Sequence, residues 1–185
     1  MGKIMVSEFI TLDGVIGAPT FTFDYGFTDG MVTAMSRLTD QGSTAILFGR
    51  TTWVESGPAW SGRDMTDDPG APFFNNTPKY VVSGTLDDVD SWSNSSLIGA
   101  YDADIVQKLK DSVDGGIYVY GSGTLVRAML ADTLVDELHL FVYPVAVGTG
   151  PRLFQEGGPK TTLALAGSES FDNGVVHLTY SPPAG

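Results

Sequence analysis

Two glycine punctuations stand between an apolar run and a helix-like run: Ala45-Ile46-Leu47-Phe48-Gly49-Arg50-Thr51-Thr52-Trp53 and Ile117-Tyr118-Val119-Tyr120-Gly121-Ser122-Gly123-Thr124-Leu125. A strand that ends in glycine and turns directly into a helix aims unpaired backbone N–H groups, and the positive end of the helix dipole, at one place. Such a place favours an anion, most often a phosphate. Two such turns, with Arg50 and several hydroxyls between them, point to a ligand carrying more than one phosphate. The spacing is not the GxGxxG of a Rossmann fold, and no acidic ribose ligand follows at the usual distance.

The composition narrows what that ligand and its protein can be. The chain has 185 residues, of which 42% are apolar and 11% aromatic, which is the profile of one globular domain over residues 1–185. A formal charge of −12 excludes nucleic acid and anionic membrane surfaces as partners, since both demand clustered Lys and Arg. With no cysteine there is no disulfide, thiolate metal site or thiol nucleophile. The opening Met1-Gly2-Lys3-Ile4-Met5-Val6-Ser7-Glu8 is too short and polar for a signal peptide, and no apolar run approaches the roughly 20 residues of a membrane span. A cytoplasmic protein is expected.

The elements that must position the two turns alternate in type. Strands are expected at 3–10, 44–48, 79–83, 117–120 and 135–147, the last broken by Pro144, with a short one near 96–98. Helices are expected at 29–41, after a Thr28 or Asp29 cap, and at 51–56, 102–111 and 123–131. Residues 57–78 read as a long Gly/Pro/Asp-rich loop containing Trp60, Phe73 and Phe74, the kind that roofs a site or is mobile. The tail gives strands at 162–171 and 174–181 around the hairpin turn Asp172-Asn173-Gly174. This order predicts an α/β protein with a mostly parallel central sheet and an antiparallel C-terminal hairpin.

Taken together, the motifs resemble the dihydrofolate reductase-like superfamily, and within it the reductase domain of the bifunctional riboflavin-biosynthesis enzymes in stand-alone form. The resemblance runs along the whole chain. It rests on Thr11-Leu12-Asp13-Gly14-Val15-Ile16, Phe48-Gly49-Arg50-Thr51-Thr52-Trp53-Val54-Glu55, Lys79-Tyr80-Val81-Val82-Ser83, Gly121-Ser122-Gly123-Thr124-Leu125, and Leu134-Val135-Asp136-Glu137-Leu138 running into Pro144 to Gly150. It implies a three-layer α/β/α fold and a bound NADPH. Gly49, Arg50, Thr51 and Thr52 would take the adenosine phosphates, with Arg50 on the 2′-phosphate. Ser83 would lie beside the adenine ribose phosphate. Gly121, Ser122, Gly123, Thr124 and Leu125 would take the pyrophosphate, Ser122 and Thr124 adding hydroxyl donors. The backbone near Ile16 would meet the nicotinamide carboxamide. A homodimer is implied as well.

The substrate side is less defined. By resemblance, Asp29 on the first helix is the candidate carboxylate for protonation, and Phe141 stands where dihydrofolate reductases place a pterin-binding threonine. Asp13, in a tight Asp-Gly turn, is a candidate substrate neighbour. Arg63, Arg127 and Arg152 are the spare arginines that could meet a substrate phosphate. His139 and His177 lie far apart in sequence, without neighbouring ligand residues, which argues against a metal. The expected activity is hydride transfer from NADPH to a small planar heterocycle, of the riboflavin-pathway ribosylaminopyrimidine or pteridine kind. The alternatives are a nucleotide-binding protein on the same scaffold without turnover, and a purely structural domain that binds no nucleotide.

Overall fold

A computed structural model describes residues 2–183, so Met1, Ala184 and Gly185 of the expected 1–185 domain lie outside the described residues. Eight strands form one sheet: β1 (Lys3–Thr11), β2 (Ser43–Gly49), β3 (Lys79–Val82), β4 (Ser95–Leu97), β5 (Gly116–Tyr120), β6 (Glu137–Tyr143), β7 (Ala164–Ser170) and β8 (Val176–Ser181). Their order is β4-β3-β2-β5-β1-β6-β8-β7. The first six are mutually parallel, while β8 runs antiparallel to β6 and β7 antiparallel to β8.

The parallel strands are near-continuous apolar runs because both of their faces are covered. Helices α1 (Asp29–Leu38), α2 (Arg50–Trp60) and α3 (Ala71–Asn76) bring Met31, Leu38, Trp53 and Phe73 onto one face, against Met5, Ile46 and Tyr118. Helices α4 (Ala103–Ser112) and α5 (Gly123–Ala131) bring Val106, Leu109, Leu125 and Met129 onto the other, against Ile4, Val6 and Val119. This is the three-layer α/β/α architecture, mostly parallel, with the antiparallel hairpin at its C-terminal edge.

Local chemistry sets the boundaries. The Thr28 hydroxyl accepts from Met31 N at the start of α1, and Asp102 accepts from Asp104 N and Ile105 N at the start of α4. Gly174 takes φ 85° in the turn joining β7 to β8. Strand β6 stops at Tyr143 because Pro144 has no N–H to donate.

The segment 57–78 differs from the expected loop. Helix α2 continues through Pro58 to Trp60, and α3 forms with Pro72 in its first turn, where a missing N–H costs no hydrogen bond. Phe73 and Phe74 are therefore buried core rather than roof, and Trp60 stacks on Phe74 at 4.2 Å. The fully buried Lys79 secures this arrangement: its ammonium donates to Phe74 O at 2.8 Å and Thr77 O at 3.0 Å at the end of α3, and lies over the Trp92 ring.

Candidate functional site

The site exists because β5 is shorter than β1. Strand β5 pairs with β1 only as far as Ser7↔Tyr120, and Gly121 N donates the last rung to Ser7 O at 3.3 Å. The chain then leaves the sheet through two left-handed residues, Gly121 (φ 55°) and Ser122 (φ 70°). Strand β1 goes on to Thr11 paired with β6 alone. A cleft of about 1970 Å³ opens over the carboxyl ends of β1, β2, β3 and β5, the place where open α/β sheets bind ligands. Its size accommodates a dinucleotide with a second small molecule.

The two glycine turns meet in this cleft. Gly49 N donates to Ser122 Oγ at 2.9 Å, which ties the start of α2 to the start of α5. Neither helix has a side-chain cap, so both present unpaired first-turn N–H groups. A Cβ at Gly123 would collide with the Ile16 side chain, which explains glycine there without invoking the ligand. Among the described residues Arg50 makes no ion pair. Ile16, Gly49, Arg50, Thr51, Thr52, Ser83, Gly121, Ser122, Gly123, Thr124 and Leu125 all line the cleft. This donor set, two uncapped helix N-termini with a guanidinium and hydroxyls around them, fits a ligand bearing several phosphates. One role changes: the Ser122 hydroxyl holds the two turns together and is not an open donor.

The opposite wall is aromatic, formed by Phe9, Phe21, Phe23 and Phe27 with Val145. Three expected substrate residues are absent from the cleft lining. Phe141 is fully buried, stacked on His177 at 4.4 Å and edge-on to Phe9, because its side chain falls on the core face of β6. Asp29 occupies the first turn of α1, where a carboxylate stabilises the helix dipole. Asp13 is spent on loop closure: it accepts from the Thr11 hydroxyl, Gly148 N and Val147 N, and these bonds hold its carboxyl down to about 2.

The spare arginines are also committed. Arg152 donates to Asp13 O and Gly148 O, Arg127 to Arg152 O and the Thr124 hydroxyl, and Arg63 lies over Trp60 near Asp68. Arg50 and Arg127 are the cations that line the cleft, both beside the glycine turns.

Glu8 is the cleft residue that motif reading missed. It lies on β1 one residue past the end of the β5 pairing, is 3% exposed, and its Oε1 is buried with no hydrogen-bond partner. Burial pushes its carboxyl up to about 8, against a weaker opposite pull from Arg127. The available signal was a charged residue inside an apolar run that a parallel sheet covers on both faces. The two histidines, distant in sequence, come together outside the cleft. His139 Nδ1 and His177 Nε2 share a hydrogen bond of 3.0 Å, and Glu137 lies 3.1 Å from His139 Nε2. Burial lowers both imidazoles, His177 to about 4, so the pair is neutral near pH 7. Among the described residues no group of three or more acidic or imidazole side chains could hold a metal ion.

This sheet order, with a cleft at the end of a shortened β5, is the dihydrofolate reductase-like fold. Residues 2–177 match the RibD C-terminal domain, and the chain belongs to that family. The uncharacterized protein YyaP of Bacillus subtilis (strain 168) is 28% identical over 188 residues, a match covering 96% of this chain and 94% of YyaP. A crystal structure from Shewanella sp. PV-4 superposes with a TM-score of 0.72 at 21% identity, covering 98% of this chain and 99% of that one. The diaminohydroxyphosphoribosylaminopyrimidine deaminase/5-amino-6-(5-phosphoribosylamino)uracil reductase of Thermotoga maritima superposes with a TM-score of 0.66 at 15% identity, 98% of this chain covering 57% of that one. Both structural matches share the fold.

Proposed function

We propose that this protein is an NADPH-dependent reductase acting on a small planar heterocycle. The observation that carries the reading is the meeting of two uncapped helix N-termini in one cleft, locked by the Gly49–Ser122 hydrogen bond beside the unpaired Arg50. Membership of the RibD C-terminal domain family, and the fold shared with a protein named as a uracil reductase, support the reaction class.

Arg50, Thr51 and Thr52 at the head of α2, with Ser83, would hold the 2′-phosphate end of the cofactor. Arg50 adds the charge-assisted contact that separates NADPH from NADH. The Gly121–Leu125 turn would hold the pyrophosphate, and the backbone at Ile16 the carboxamide. Bound there, NADPH supplies a hydride. Around the reacting centre the aromatic wall, with Trp60 at its margin, excludes water and presents flat faces to a flat acceptor.

The test is fluorescence titration of the protein with NADPH and NADH, followed by an acceptor screen of pteridines, pyrimidines and flavin precursors. Tighter binding of NADPH and oxidation by at least one acceptor are expected. Nucleotide binding without any turnover would leave a binding protein on this scaffold. We also propose a homodimer: β7 is an open sheet edge that exposes Leu165, and light scattering should give a mass near twice 19.6 kDa.

A further inference from the structure

Glu8 is unusual among the acidic residues of this chain. Most carboxylates here are solvated or hydrogen-bonded, whereas this one is enclosed at the floor of the cleft with an orphaned oxygen. Burial without a partner is costly for an ionised carboxyl and much less so for a protonated one. The group facing it is Arg127 from α5, itself held by Arg152 O and the Thr124 hydroxyl, and the phenols of Tyr118 and Tyr120 lie nearby on the other face of the sheet. None of them donates a hydrogen bond to Oε1. Because Glu8 lines the cleft, a molecule bound there can supply the missing partner.

The aromatic wall, across β1 from the Glu8 side chain, says what kind of partner the cleft takes. Phe23 is 80% exposed and Phe27 47% exposed, large apolar faces left uncovered in a concave site. Away from the glycine turns the cleft lining contains no Lys, Arg or His, and adds Asp24 to Glu8. A substrate phosphate on the aromatic side would meet Asp24 and no cation, since Arg127, the cation nearest Glu8, is held by Arg152 O and the Thr124 hydroxyl.

We propose that Glu8 is the catalytic acid of this cleft, and that its partner is an unphosphorylated planar heterocycle whose ring nitrogen or carbonyl accepts the Glu8 proton. The proposal rests on the reductase reading above. When a ring C=N bond of the acceptor takes up a hydride at carbon, the electron pair of that double bond passes to nitrogen. The nitrogen takes the proton from Glu8, and the carboxylate recovers one from water. Cofactor oxidised and acceptor reduced by two electrons, the balance closes with one proton consumed.

The first experiment is an infrared pH titration of the protein without nucleotide, wild type against Glu8→Gln. A carboxylic C=O band present at pH 7, missing from the variant and lost with a midpoint near 8, is the expected result. Spectra of the two proteins that match at pH 7 overturn the protonated carboxyl. The second uses NADPH-loaded protein with two probes, lumazine, an unphosphorylated pteridine, and uridine 5′-monophosphate. Lumazine should bind about tenfold tighter or more, and shift the infrared band of the wild type. Failure of lumazine to bind, or preference for the nucleotide, overturns the substrate class. Glu8→Gln should keep lumazine affinity within a few fold and slow its reduction by about 100-fold or more. An unchanged rate, or bound lumazine that is never reduced, overturns the acid role. A wild type that binds no NADPH overturns the reductase reading instead, and the nucleotide-free infrared result still decides the state of Glu8.

Discussion

Replacing Glu8 by Gln should make the protein more stable near neutral pH, and the gain should grow with pH in a defined window. A free glutamate ionises at 4.5, and burial holds Glu8 protonated to about 8 in the folded chain. Below 4.5 both states carry the proton and Glu8 imposes no pH-dependent cost. Between 4.5 and 8 the unfolded chain releases the proton and the folded chain does not, so stability falls as pH rises. From 4.5 to 7, at about 1.4 kcal/mol per pH unit, the loss comes to about 3 kcal/mol. Above 8 the folded carboxyl ionises as well and the loss levels off. Gln is neutral throughout and of similar volume, so Glu8→Gln should lack this slope. Urea denaturation of both proteins at pH 4.5, 7 and 9 reads it directly, and the difference cancels every other titrating group. With an m-value of about 2 kcal/mol/M, the midpoint difference should widen by about 1.5 M between pH 4.5 and 7. Parallel midpoint-against-pH curves would refute the argument and place the Glu8 carboxyl in an ordinary, ionised environment.

Four further outcomes follow from the geometry. Arg50→Ala should weaken NADPH binding by about tenfold or more and leave NADH nearly unchanged, by titration; equal losses would remove Arg50 from the 2′-phosphate. Gly121→Ala places a side chain at φ 55° beside Thr52, and should lower affinity for both nucleotides while the circular dichroism spectrum is retained. His177 acts in the acid range: burial, with His139 and Arg37 nearby, lowers it from 6.5 to about 4, so its contribution is present above 6.5 and lost as pH falls towards 4. His177→Phe should therefore flatten the acid limb of a stability–pH curve by up to about 3 kcal/mol, and an unaltered limb would contradict it. Lys79→Met removes the donor to the last carbonyls of α3 and should cost about 1–3 kcal/mol in urea denaturation; a neutral result would show that Lys79 secures nothing there.

The layers of this protein were readable from its residues because pattern and punctuation agree. The apolar runs at 44–48 and 117–120, each closed by glycine, became β2 and β5, and the cleft residues proposed around them share one lining. The segment 57–78 was obscured by its Gly, Pro and Asp content, although Pro72 sits in the first turn of α3, where no N–H is needed, and α2 continues through Pro58 for only two more residues. Phe141 shows the limit of aligning one strand position, since both faces of β6 are covered and none of its residues lines the cleft. Asp13 and Asp29 were plausible by type, and only the hydrogen bonds of the one and the first-turn position of the other reveal loop closure and a favourable charge on the helix dipole. Glu8 has no motif. Its meaning depends on where β5 stops, which is a property of two strands compared and of neither alone. The same holds for the His139–His177 pair, joined by the β6–β8 register across 38 residues of sequence.

The most direct test of the central claim is a side-by-side fluorescence titration of the wild-type protein with NADPH and NADH at moderate salt. Saturable micromolar binding of NADPH is expected, with NADH weaker by about tenfold or more. Absence of binding by either nucleotide, or equal affinity for both, would contradict the assignment of the two glycine turns and Arg50 to a dinucleotide phosphate site.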